Sequence, residues 1–169
     1  MSDQLVIDTL DFVYSSKTLQ GNVPLSNLER LKDYLASSTG KLTYLVTGLL
    51  DEQERPMLEI SVNGAIDLSC QRCLGKIEHT LDVKAVLLLA RNEDELQRYD
   101  EDIFADAIYA STELDILALI EDEVILSLPV SPRHENIECH ISARAKKCET
   151  SVSVKEHPFT VLASLKRPH

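Results

Sequence analysis

Cys70-Gln71-Arg72-Cys73 is the stretch whose residue types and spacing bear most directly on chemistry. Two thiolates separated by two residues can both reach one ion, and the N–H groups of the intervening turn can support the sulfurs, as in a zinc knuckle. A complete site of that kind needs about four ligands. The remaining candidates are Cys139 and Cys148, or His134 and His140. Cys139 and Cys148 have eight residues between them, so they do not repeat the knuckle spacing. Read with metal, the cysteines hold a structural zinc. Read without it, they are reduced, half-buried thiols. Thiol–disulfide exchange is a third chemistry, but it places the first cysteine at a helix N-terminus, whose dipole lowers the thiol pKa. Here Cys73 leads through Leu74-Gly75-Lys76 into a β-type pattern instead.

Other candidates are weaker. His79 is in phase with Ile77 and Leu81, which reads as a core or edge histidine before it reads as a catalytic one. His157 and His169 have no partner in the pattern. The acid run Glu121-Asp122-Glu123 has the charge to hold a hard cation, but such a run is more often a solvated helix face. The five glycines never cluster, so there is no phosphate-cradling loop. Nucleophile elbows and paired-histidine metal motifs are also absent. Nothing in the sequence assembles a catalytic site. Aromatics make up only 5% of the chain, and no segment shows the aromatic pairs on which single-strand binders stack bases.

The elements that must position these residues follow from periodicity. Leu58, Ile60, Val62, Ile66, Leu68 and Cys70 fall on every second position, as do Ile77, His79, Leu81, Val83, Ala85, Leu87 and Leu89 beyond the pivot. Successive strand side chains point to opposite faces, so period two over 57–70 and 76–90 predicts a long antiparallel hairpin with two thiols at its tip. Gly75 is the residue expected to supply a positive φ in that turn. Residues 42–50 read as a third strand, which completes a meander, with Pro56 at the start of the following strand because it lacks an N–H.

Elsewhere, residues 4–14 read as a first strand and 15–21 as a loop. Ser26 and Glu29 form a capping box for a short helix carrying Leu28, Leu31 and Leu35. Residues 91–102 suit a surface loop or one exposed helical turn, and 103–110 a short strand. A second helix is expected from Glu113, capped by Thr112, with Leu114, Leu117, Ile120, Val124 and Leu128 inward and Glu121, Asp122 and Glu123 on the wet side; Pro129 stops it. Residues 131–158 read as a long loop, and 159–167 as a short C-terminal helix entered at Pro158. The expected architecture is one α+β domain: an antiparallel sheet, two packed helices and a long C-terminal extension beyond a core of about residues 1–130.

Composition narrows the function classes. At 169 residues and 44% apolar content the chain can bury a sound core. The net charge of −11 argues against coating nucleic acid through a general cationic field, because phosphate binding needs neutralising Lys and Arg. The charge is uneven. Residues 140–169 hold six basic and two acidic residues, a net of +4, which leaves −15 on residues 1–139. An acidic body with a basic end is suited to meet RNA or an acidic protein at that end; a solvated tail is the plainer alternative. No segment has the ~20 consecutive apolar residues of a spanning helix, and the N-terminus lacks the parts of a signal peptide. A cytoplasmic location is therefore expected, where thiols stay reduced.

Taken together, Cys70-Gln71-Arg72-Cys73, the run from Leu114 to Pro132, His134, Cys139, and the ending His157-Pro-Phe-Thr-Val-Leu-Ala-Ser-Leu-Lys-Arg are similar to the bacterial YceD family, the large ribosomal RNA subunit accumulation proteins. The likeness runs over most of the chain. It implies a non-enzymatic cytoplasmic factor for synthesis, processing or accumulation of large-subunit (23S) ribosomal RNA, with the RNA precursor or a large-subunit ribosomal protein as partner. No catalytic residues carry over from it. Cys70, Cys73 and Cys139 fall where the family's cysteines fall. Some relatives add a second close cysteine pair, which this chain lacks. Joined to the charge pattern, the resemblance marks Glu121, Asp122 and Glu123 as one candidate partner surface and Lys166 and Arg167 as another. An RNA-processing enzyme and a small zinc-knuckle interaction scaffold are the rival readings.

Overall fold

The computed structural model describes residues 5–101 and 106–134. In chain order the elements are β1 (Val6–Ile7), α1 (Thr9–Tyr14), β2 (Thr18–Pro24), two 3-10 turns (Leu25–Asn27 and Leu31–Tyr34), β3 (Leu35–Ser37), β4 (Lys41–Leu50), β5 (Pro56–Ser69), β6 (Lys76–Ala90), α2 (Glu93–Tyr99), β7 (Asp106–Tyr109), β8 (Leu114–Asp115) and α3 (Ile116–Ser127). The fold is α+β, and the predicted meander is its centre.

The main sheet runs β2-β4-β5-β6-β7, with β3 pairing β5 beyond the reach of β4. β4 and β5 pair antiparallel from Leu50 opposite Pro56 to Leu42 opposite Gly64. β5 and β6 pair antiparallel from Met57 opposite Leu88 to Ser69 opposite Lys76. β7 adds in parallel along the last residues of β6. The alternation in the sequence becomes a burial alternation: Leu58, Ile60, Val62, Ile66, Leu68 and Cys70 are buried, while Glu59 and Asn63 face out. Leu42, Tyr44 and Val46 of β4, and Leu81, Val83, Leu87 and Leu89 of β6, extend the same apolar face. His79 is half-buried on it.

Three pieces cover that face. α1 contributes Phe12 and Val13, the 3-10 segment contributes Leu25, Leu28 and Leu31, and α3 contributes Ile116, Leu119, Ile120 and Val124. α1 comes close to the sheet at Gly48 of β4, where an added Cβ would lie 2.8 Å from the Val13 Cα and 2.9 Å from the Phe12 carbonyl oxygen. A side chain there would hold α1 off the sheet.

Several expectations change. Residues 4–14 are not one strand: Asp8 accepts the Asp11 N–H at 3.0 Å and starts α1, so the cap outweighs local β-propensity. The expected 15–21 loop is largely strand, because β2 lies at the sheet edge and needs only one apolar face. The predicted helix over Leu28, Leu31 and Leu35 is instead two 3-10 turns and β3. The two turns are separated at Leu28, which is extended at φ −93° and ψ 91°, and Ser26 makes no cap, its hydroxyl lying 3.4 Å from the Asn27 side chain. α3 starts at Ile116 and not at Glu113. Asp115 is its cap, accepting from Leu117 N–H at 2.9 Å and Ala118 N–H at 3.3 Å, while Leu114 and Asp115 pair with Ile7 and Val6. The exposed turn expected in 91–102 is α2, capped by Asn92. The readings of 135–158 and 159–167 lie outside the described residues.

Candidate metal centre at the hairpin tip

The β5–β6 connection is built by local bonds. Cys70 N–H donates to the Gly75 carbonyl at 2.8 Å, and Leu74 N–H to the Cys70 carbonyl at 2.9 Å. The residue that takes the left-handed conformation is Leu74, at φ 58°, and not Gly75. Gly75 packs closely instead: a Cβ on it would sit a tight 3.2 Å from Cys73 Sγ and in ordinary contact, 3.5 Å, with His134 Cε1. The turn aims backbone donors at both sulfurs. Arg72 N–H points to Cys70 Sγ, and Gly75 N–H to Cys73 Sγ, each at 3.4 Å. Cysteine binds metal as the thiolate.

The third member arrives from a distant part of the chain. After α3 ends, Pro129 and the residues beyond it run back to the tip, and Gln71 N–H donates to the Pro132 carbonyl at 2.9 Å. That bond sets His134 against the knuckle. Its Nδ1 lies 3.5 Å from Cys73 Sγ, and its Nε2 lies 3.1 Å from the Lys76 carbonyl oxygen. A carbonyl only accepts, so Nε2 carries the proton and Nδ1 presents its lone pair towards the sulfurs. The donor atoms of Cys70, Cys73 and His134 all lie within 4.8 Å of one another, with Cys70 buried and the other two partly exposed. Among the described residues this is the group of three or more His, Cys, Asp or Glu side chains placed to share an ion. Beneath it, Lys76 bridges to Asp67 at 2.8 Å across the hairpin, and that bond raises the ammonium pKa. A groove of about 380 Å³ lies alongside, lined by Tyr34, Leu68, Gln71, Ile125 and Pro132 among others.

Two sulfurs and an imidazole nitrogen form a donor set for a borderline-soft divalent ion. The sequence pairs Cys70 with Cys73, and the structure brings His134 to them. Cys139, Cys148 and His140 lie outside the described residues. The signal that could have favoured His134 over the other candidates is weak: a proline-punctuated segment leaving a helix, with no periodicity to say where it returns.

The acidic candidates on α3 separate. Glu121 is not on the wet side. It is buried, accepting Leu31 N–H at 3.0 Å and Arg30 Nε at 3.0 Å, so it ties α3 to the 3-10 segment. Asp122 is half-exposed and pairs with the other side of the Arg30 guanidinium at 2.6 Å. These two carboxylates raise the Arg30 pKa, Asp122 contributing first and Glu121 second. Glu123 is partly buried; desolvation pushes its carboxyl up, and the charges of Asp106 and Asp122 push it the same way. Lys166 and Arg167 lie outside the described residues. No helix among the described residues is long and apolar enough to cross a membrane.

The comparisons bear on the chain as a whole. The model of the family described as large ribosomal RNA subunit accumulation protein YceD matches residues 58–166, which include the hairpin, its tip and α3. The large ribosomal RNA subunit accumulation protein YceD of Haemophilus influenzae is 26% identical over 166 residues, covering 96% of this chain and 95% of that protein. No solved structure matches. With the family's model spanning well over half of its length, this chain belongs to the YceD family.

Proposed function

We propose that the protein supports the accumulation of large-subunit (23S) ribosomal RNA as a non-enzymatic assembly factor, acting by contact with the RNA precursor or with a large-subunit ribosomal protein. The observation that carries this reading is the end-to-end similarity to a protein named for that role. Charge supports it. Residues 1–139 carry −15, and basic ribosomal proteins are drawn to such a field, since complementary potentials steer association. On α3, Asp122 is exposed at the surface while Glu121 is engaged inside. The cationic end, with Lys166 and Arg167, is the part suited to RNA phosphate.

Depletion of the protein in its own host tests this directly. The expected outcome is a fall in mature 23S relative to 16S RNA, restored by the parent chain. An unchanged ratio rejects the reading. Cleavage of precursor RNA by the purified protein and magnesium would replace it with an enzymatic one.

A further inference from the structure

We propose that Cys70, Cys73 and His134 bind one Zn2+ that fastens the tip of the β5–β6 hairpin to the segment leaving α3. Three independent features of the site converge on an ion. First, the donor atoms lie within 4.8 Å of one another although His134 is 61 residues from Cys73. Second, each sulfur receives a backbone N–H from the turn, an outer contact that orients it towards the shared position. Third, the imidazole is already oriented: its Nε2–H is held by the Lys76 carbonyl, which turns Nδ1 towards Cys73 Sγ. Metal-binding histidines are held in this way by an outer acceptor that fixes tautomer and ring direction. Gly75 leaves room beside Cys73, since a Cβ there would lie 3.2 Å from its Sγ.

The donor chemistry selects the ion. Sulfur and imidazole together disfavour Ca2+ and Mg2+, which take oxygen. A compact mixed sulfur and nitrogen set matches tetrahedral zinc, whose structural sites combine cysteine and histidine. Binding displaces the two thiol protons to solvent; nothing is oxidised or reduced. The described residues supply three of the four positions of that geometry. The ion's effect is mechanical: it links the hairpin tip to the segment leaving α3, reinforcing the Gln71–Pro132 backbone bond and the His134–Lys76 contact.

The test uses the full chain, purified without chelator and loaded with zinc. Elemental analysis should find about one zinc per chain after gel filtration. His134→Gln and Cys73→Ser, each with the parent's circular dichroism, should weaken zinc binding by at least about 100-fold, since loss of an outer-sphere partner alone costs 10–100-fold. Cobalt substitution of the parent should give a sulfur-to-cobalt charge-transfer band and strong tetrahedral d–d bands. A chain that stays zinc-free after loading overturns the proposal, as does His134→Gln binding zinc as tightly as the parent. Should both variants fail to fold, the parent's cobalt spectrum decides: a weak octahedral spectrum without the sulfur band overturns it.

Discussion

At the scale of single residues, two glutamates on either side of Asp122 illustrate how position overrides type. Glu121 accepts a backbone N–H and an arginine, and its removal leaves Leu31 N–H buried without an acceptor. Glu121→Ala should therefore destabilise the fold by about 2–3 kcal/mol in urea titrations, with Glu121→Gln milder because its carbonyl still accepts. The effect on Glu123 has the opposite sign. Its folded-state pKa is raised by burial, with Asp106 and Asp122 adding to the shift, so the native state holds a proton that the unfolded chain has already released. That difference lowers stability as pH rises from the ordinary glutamate range through the folded pKa. Glu123→Gln should raise the melting temperature at neutral pH. The gain should disappear below the ordinary glutamate pKa, where the carboxyl is protonated in both states. A gain that persists unchanged in acid would rule out this cause.

At the scale of elements, the sheet is a frame and the covering pieces are fitted to it at specific points. α1 is only six residues long and cannot be stable alone, since isolated short helices are marginal in water. It stands because Asp8 caps it and because Gly48 lets its backbone touch β4. Gly48→Ala should cost about 1–3 kcal/mol, the typical penalty for overpacking a tight contact. Because the contacts of the added Cβ are to Val13 and Phe12 backbone as well as to the Phe12 ring, a rotamer change cannot absorb them all. Hydrogen exchange should then locate the loss in 9–14 and the C-terminal end of β4, with the β5–β6 hairpin still protected. Equal loosening of the hairpin would contradict this division.

At the scale of the whole molecule, the hairpin tip is where distant parts of the chain meet. A ligand that binds the native state and not the unfolded one stabilises by mass action, about 2.7 kcal/mol when its concentration is 100 times Kd. For a chain of this size that corresponds to a rise in melting temperature of about 5–10 °C. Zinc should produce that rise in the parent, and chelator should reverse it. The rise should be absent from His134→Gln. The same scale governs partner choice, because the charge asymmetry belongs to the chain as a whole and not to any one surface residue. Association with a basic partner should weaken as salt is added, since exposed charges are screened within about 10 Å at 0.1 M ionic strength. Salt-independent binding would argue for an apolar contact in its place.

The sequence by itself determined the β4–β5–β6 meander and the cysteine pair at its tip, because strand alternation is a local property written every second residue from Leu58 to Cys70 and from Ile77 to Leu89. It also carried enough of the family's combined motifs to place the chain among its relatives. Only the tertiary structure decided what short segments do. Residues 25–37 fold as 3-10 turns and a strand because a carboxylate on α3 takes the N–H of Leu31, about 90 residues away, and no local rule contains that acceptor. His134 joins Cys70 and Cys73 for the same reason: a loop has no period, and its return to the tip is set by the Gln71–Pro132 bond and the Lys76 carbonyl.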